Sequence, residues 1–387
     1  MDPGMECATM RRVPELDALR ALAAMAVLLF HLSPHQGLSA FGMTGVHLFL
    51  VLSGYLITGI VINHVGTPGF FRAFYARRIL RIWPIYYLTL AFLLVLQHHL
   101  PNPPSYQGLA YYLTFTQYTW HMPGISKLVA IPPPTVHAFD HSWTLAVEEQ
   151  FYLLWPIAVA CVGSRRVGWT ALGIIGFGVW FKTLGYEGWL LPNVFGAFAL
   201  GALIAVLLND RGRVERHRYK FSTFFLAAGS LGFAYLYWYY TVWPFGWSAD
   251  RMAWRDSLQN FAYYTIHFGI VGWVATNSGR WLLAPLRMRE LTYLGEISYG
   301  LYMYHLPVYW LVGGYTILLA EPWPMRVAKI TLTFIVATLS YRYIESPILT
   351  LKDWFPYQPR TVGQAPMASA IPRPRLIGTR SRSVLGD

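Results

Sequence analysis

The amino-acid sequence predicts an all-α, polytopic membrane bundle of about ten transmembrane helices with both termini on the cytoplasmic side. Three observations predict it. Hydrophobic residues make up 55% of the 387 positions and charged residues only 12%, against about 25% charged in an ordinary soluble domain, so a single soluble core cannot hide the apolar surface. Apolar runs of roughly 17 to 25 residues, the length that crosses a bilayer, recur from residue 16 to residue 344. The basic residues alternate between successive connections, the mark of cytoplasmic loops.

In chain order, residues 1–15 form a short cytoplasmic tail. The first run, residues 16–33, follows Arg11 and Arg12 in the manner of a signal peptide, but it carries Arg20 and lacks a cleavage site, so it is expected to stay as a helix. Runs at 43–63 and 82–98 come next. The Pro-rich connection 99–141 contains an aromatic stretch, residues 109–120, that is too short to span and is expected at the interface or partly re-entrant. Further runs occupy 142–162, 168–185, 190–208, 221–241, 258–276, 297–319 and 327–344. The seventh closes on the aromatic residues 235–240, which suit an interfacial belt. The membrane domain is therefore expected over 16–347. Residues 348–387 lose apolar periodicity and gain Pro, Arg and Ser, as a mostly disordered cytoplasmic tail would. No internal repeat of the kind found in many transporters is visible.

Charge tests the count of runs. One alternating set of connections holds Arg11 and Arg12; Arg72, Arg77, Arg78 and Arg81; Arg165 and Arg166; Arg211, Arg213, Arg216, Arg218 and Lys220; Arg280, Arg287 and Arg289; and seven more from Arg342 onward, in all 23 of the 30 Lys and Arg. The opposite set holds Lys127, Arg251, Arg255 and Arg326. An odd number of crossings would destroy this alternation. The net charge of +12 is thus a topology signal and not a nucleic-acid footprint. Cys7 and Cys161 offer neither a disulfide framework nor a metal-ligand spacing, so no metal is expected.

Ionisable groups inside a span cost several kcal/mol unless they meet a partner or a wet cavity, which makes each a candidate functional residue. Arg20 and His31 are eleven residues apart, about 20° from three whole turns and about 16.5 Å along the axis, so they share one helix face. Arg20 lies near the cytoplasmic end. The alternative is a snorkelling Arg and a core His bonded to a backbone carbonyl. Arg78 and Arg81, three apart, share a face suited to clamping phosphates, or serve topology alone. The fourth run opens on Ser142, Trp143 and Thr144 and soon meets Glu148 and Glu149; Glu148 shares a face with Tyr152 and Trp155 and is the inward candidate, unless both carboxylates stay solvated at the interface. In the ninth run Tyr299, Tyr302 and His305 recur every three residues beside Ser298, a pattern suited to a structural hydrogen-bond network.

These motifs together resemble the acyltransferase 3 family of integral membrane acyltransferases, which includes glycan O-acetylases and macrolide O-acyltransferases. The resemblance runs from Leu16 to Pro347. It is carried by Leu16, Asp17, Ala18, Leu19 and Arg20 with ten residues before His31; by Gly45, Val46 and His47 leading to Ser53, Gly54 and Tyr55; by Arg78 and Arg81 with Pro84; by Trp143 through Glu148, Glu149 and Tyr152; by Ser298 to His305; and by Glu345, Ser346 and Pro347. Many members have Gly for Ala18, Asp for His47 and Phe for Tyr55.

The resemblance implies a multi-pass bacterial inner-membrane enzyme with no permanently bound cofactor. It would move an acyl group, commonly acetyl, from cytoplasmic acyl-CoA to a hydroxyl of a cell-envelope glycan or a small molecule. Arg20, Arg78 and Arg81 would hold the phosphates of CoA. His31 would act as general base, with a covalent acyl-histidine as the variant, and Glu148 would orient His31 or the acceptor. Ser53, His47, Trp143, Tyr152 and His305 would line the substrate site. The competing class is a proton- or anion-coupled transporter in which the same Arg, His and Glu form a pathway.

Overall fold

The computed structural model describes residues 13–32, 42, 44–98, 109–117, 137–183, 191–242, 252–313 and 321–358, and all regular structure among them is helical. The long helices are α1 (Pro14–Leu32), α2 (Thr44–His64), α3 (Phe70–His98), α4 (Trp143–Val162), α5 (Val167–Thr183), α6 (Leu191–Leu207), α7 (Arg218–Val242), α8 (Met252–Asn277), α9 (Ser298–Gly313) and α10 (Trp323–Ser340). Each coincides with one of the apolar runs. Four helical stretches among the described residues are both long and apolar enough to cross a bilayer: Thr44–His64, Phe70–Leu96, Ala138–Val162 and Trp323–Trp354.

Helix α1 starts with Pro14, whose missing N–H is an orphan donor in the first turn anyway. The carboxylate of Glu15 ties this end down by accepting from Gly279 N–H at 2.9 Å, Ser278 Oγ at 3.1 Å and Arg287 at 3.0 Å. Helix α3 begins twelve residues before the expected run at 82, because the Arg- and Ala-containing stretch ahead of it has high helix propensity although it is too polar to register as a span. Residues 109–120 are described only to 117, with a helical turn at Leu109–Leu113. Chain beyond α10 continues as a π turn (Tyr341–Glu345), a helical turn (Ser346–Thr350) and a 3-10 turn (Leu351–Trp354), past the expected domain end at 347. The remainder of the expected tail, beyond 358, lies outside the described residues.

Helices α1, α2, α3, α4 and α9 surround the candidate site, and α6 presses on α2 from outside. That contact depends on small residues, as close helix packing in membranes does. A Cβ on Gly54 would sit 2.1 Å from the Phe198 carbonyl oxygen, and one on Gly201 would sit 2.1 Å from that of Val51. Both obstacles are backbone, so the helices themselves must separate. Gly54→Ala is expected to cost about 1–3 kcal/mol, read as a lower thermal midpoint in detergent; an unchanged midpoint would refute this packing.

Candidate active site

A cavity enclosing about 740 Å³ of free space, part of it open to the exterior, lies between these five helices. Arg20 enters from α1, Ser53 from α2, Arg78 and Arg81 from α3, Thr144, Glu148 and Tyr152 from α4, and Ser298, Tyr299 and Tyr302 from α9. Arg20 keeps Asp17 as an ion-pair partner at 3.4 Å. Arg81 donates to the Glu296 carbonyl at 3.5 Å, and the guanidinium of Arg78 lies 5.7 Å from the Tyr152 ring centroid. Arg78 Nε is buried without a hydrogen-bond partner. Three guanidiniums therefore share one cavity, an arrangement that suits a phosphorylated ligand because each presents a fork of donors to anionic oxygens.

The polar floor is a short relay. Tyr152 donates to Ser53 Oγ at 3.3 Å, and Ser53 donates to Glu148 Oε1 at 2.7 Å. The adjacent Glu149 turns away and accepts from Trp83 Nε1 at 3.1 Å. Adjacent helix residues point about 100° apart, so only one of the two carboxylates can face the cavity. On the far side, Tyr302 donates to the His141 carbonyl at 2.6 Å and lies 2.5 Å from Thr144 Oγ1.

Beyond Tyr302 the side chains of His31, His141 and His305 cluster, with ring centroids 4.8 Å apart for His31 and His305 and 4.8 Å apart for His141 and His305. Local sequence explains the geometry. Pro307 lies inside α9 and has no N–H, so the Met303 carbonyl four residues earlier lacks its helical donor. His141 Nε2 donates to that oxygen at 3.2 Å. His305 Nδ1 is 2.5 Å from the Tyr302 carbonyl. A carbonyl can only accept, so Nδ1 carries the proton and Nε2 of the neutral ring offers a lone pair. That Nε2 is 3.2 Å from His31 Nδ1, which is also 2.9 Å from the Val27 carbonyl. Both neighbours are acceptors. Nδ1–H of His31 therefore donates to them, and its Nε2 is the unprotonated nitrogen of the neutral ring.

Of the residues singled out in the sequence, the cavity gathers Arg20, Ser53, Arg78, Arg81, Glu148 and Tyr152. His31 and His305 stand outside its lining but join it through Tyr302. Arg20 lines the cavity, and His31 on the same helix meets His305 of α9. His31 is contacted by His305, whereas Glu148 is bonded to Ser53, an arrangement that leaves the acceptor as the group Glu148 would orient. Trp143 packs at the edge of the hydrophobic core. His47 lies apart, on the α2–α8 contact, with ring centroids 4.9 Å from Tyr264, 5.8 Å from Tyr263 and 6.2 Å from His267. Sequence reasoning assigned no role to Thr144 or His141, and took Tyr299 and Tyr302 as structural. The legible signal was the helical spacing of Tyr302 and His305 with Pro307 just beyond.

Residues 13–342 match the family model Acyl_transf_3, described as an acyltransferase domain. The chain is 27% identical over 365 residues to the O-acetyltransferase OatA of Staphylococcus aureus strain NCTC 8325 / PS 47, an alignment covering 87% of this chain and 57% of that protein. It is 26% identical over 390 residues to the putative O-acetyltransferase SACOL0978 of Staphylococcus aureus strain COL, covering 92% of this chain and 61% of that one. The chain thus spans a little over half the length of these curated relatives. No solved structure matches it.

Proposed function

This chain belongs to the acyltransferase 3 family of membrane proteins, and on that premise we propose that it is an O-acetyltransferase that moves an acetyl group from acetyl-CoA to a hydroxyl of a cell-envelope glycan or a related small acceptor. The names of the relatives support acetyl as the group moved. In this reading the chain crosses a bacterial plasma membrane ten times, both termini are cytoplasmic, and CoA enters from the side carrying the basic connections.

The observation that carries the reading is the link between His31 and His305. The hydrogen bonds leave His31 Nε2 with a lone pair, which is what a general base requires. His31 also shares a helix face with Arg20, about 16.5 Å closer to the cytoplasm. Arg20, Arg78 and Arg81 hold the CoA phosphates, and the pantetheine arm runs along α1 towards His31. His31 Nε2 takes the proton of the acceptor hydroxyl as its oxygen attacks the thioester carbonyl. The tetrahedral intermediate collapses with cleavage of the C–S bond, and the departing thiolate recovers the proton from His31. Imidazole suits this two-way transfer because its ordinary pKa lies near neutrality. Throughout, His305 accepts from His31 Nδ1–H and fixes the ring. The relay of Tyr152, Ser53 and Glu148 lies beside Arg78, at the phosphate end of the path, where it fixes the polar wall along which the donor lies.

The direct assay offers purified protein radiolabelled acetyl-CoA and glycan fragments. Acceptor-dependent CoA release with the label recovered as an ester supports the reading, and CoA release indifferent to every hydroxyl acceptor sinks it. Envelope glycans compared by mass spectrometry in cells with and without the protein identify the acceptor. His305→Gln is expected to lower kcat about tenfold, equivalent to about 1.4 kcal/mol of barrier, at an unchanged KM for acetyl-CoA. A KM effect alone would remove His305 from its positioning role.

A further inference from the structure

The chain after α10 does not leave the bundle. Its turns at Ser346–Thr350 and Leu351–Trp354 pack against α3. Two aromatic residues then pin it across the α2–α3 end: the Phe355 ring lies 5.8 Å from Arg72 Cζ, and the Tyr357 ring lies 5.0 Å from Arg77 Cζ and 4.8 Å from the His64 ring. Such cation–π contacts hold a segment without neutralising the cations beneath it. Lys352 lies within the second of these turns and is half-buried. The charges acting most strongly on it are Arg81, Arg78, Arg77 and Arg20, all cations. Three of these four arginines line the cavity. Asp17 is paired with Arg20 and Glu148 is bonded to Ser53, and among the described residues no carboxylate forms an ion pair with Lys352.

Lys352 joins four arginine cations that Asp17, Glu148 and Glu345 offset only in part, and a polyanion at their centre relieves the remaining repulsion. We propose that Lys352 is a further donor-binding residue and that residues 346–357 form the outer wall of the site for the phosphates of acyl-CoA. The inference rests on the acetyl-CoA reading above. Lysine provides a mobile point charge where the arginines provide fixed forks, so Lys352 closes on a phosphate already seated on Arg78 and Arg81.

The test compares acetyl-CoA with S-acetylpantetheine, a thioester donor without phosphates, using the full chain in neutral detergent. Lys352→Gln is expected to lower kcat/KM for acetyl-CoA about tenfold, as loss of one charged hydrogen bond does, with kcat/KM for S-acetylpantetheine unchanged. Lys352→Arg is expected to recover most of the loss. An unchanged kcat/KM for acetyl-CoA in Lys352→Gln overturns the proposal, and so does an equal loss for both donors, which would mark a structural role. Wild-type protein that binds no CoA in a direct titration would overturn the donor reading itself, and that outcome is distinguishable because it involves no variant.

Discussion

His31→Ala is expected to lower acetyl transfer by about 10²- to 10⁴-fold, the range that general acid–base catalysis supplies, with CoA affinity within about twofold of wild type. The separation follows from geometry. His31 touches Val27 and His305 and does not line the arginine-bearing cavity, so its removal leaves that cavity in place. The Val27 bond lies within α1, and the buried His305 keeps its bond to the Tyr302 carbonyl, so the helices retain their packing. Transfer rate and CoA Kd, measured on the same preparation, check both halves. Full activity in His31→Ala would end the assignment of the base.

Replacing Arg78 and Arg81 together by alanine is expected to raise the Kd for CoA by about 10²- to 10⁴-fold, since each charged hydrogen bond contributes about 1.5–3 kcal/mol. Both side chains line the cavity, and neither forms an ion pair among the described residues. Added salt should weaken the wild-type affinity and leave the double variant less affected, because the lost attraction is the screenable one. Acceptor affinity should hardly move. A CoA titration with unchanged Kd would refute the clamp and return these arginines to topology alone.

The helices were legible because a bilayer accepts few solutions: apolar runs of the right length with satisfied backbones. Where the outline failed, it failed at polar helix. The start of α3 at Phe70 carries Arg72, Arg77 and Arg78, which hydropathy excludes but helix geometry admits. Residues 351–357 are short and mixed, yet Phe355 and Tyr357 dock on arginines of α3, a pairing that no local periodicity announces.

The candidate site divides in the same way. Arg20 and His31, or Arg78 and Arg81, lie on single helices, so spacing alone put each pair on one face. Ser53 with Glu148, 95 residues apart, and His31 with His305, 274 apart, depend on which helices neighbour which. Helix order in space is not written in periodicity. The release of the Met303 carbonyl by Pro307 was readable from sequence, but its capture by His141 was not, because His141 lies 162 residues away.

The most direct test of the central claim uses wild-type protein reconstituted in sealed vesicles, with acetyl-labelled CoA outside and a glycan acceptor available. Acyl transfer requires labelled ester on the acceptor, mole for mole with free CoA, whatever crosses the bilayer. Labelled acetyl-CoA or acetate accumulating inside the vesicles without ester formation would contradict the account and identify the arginines, His31 and Glu148 as a transport pathway.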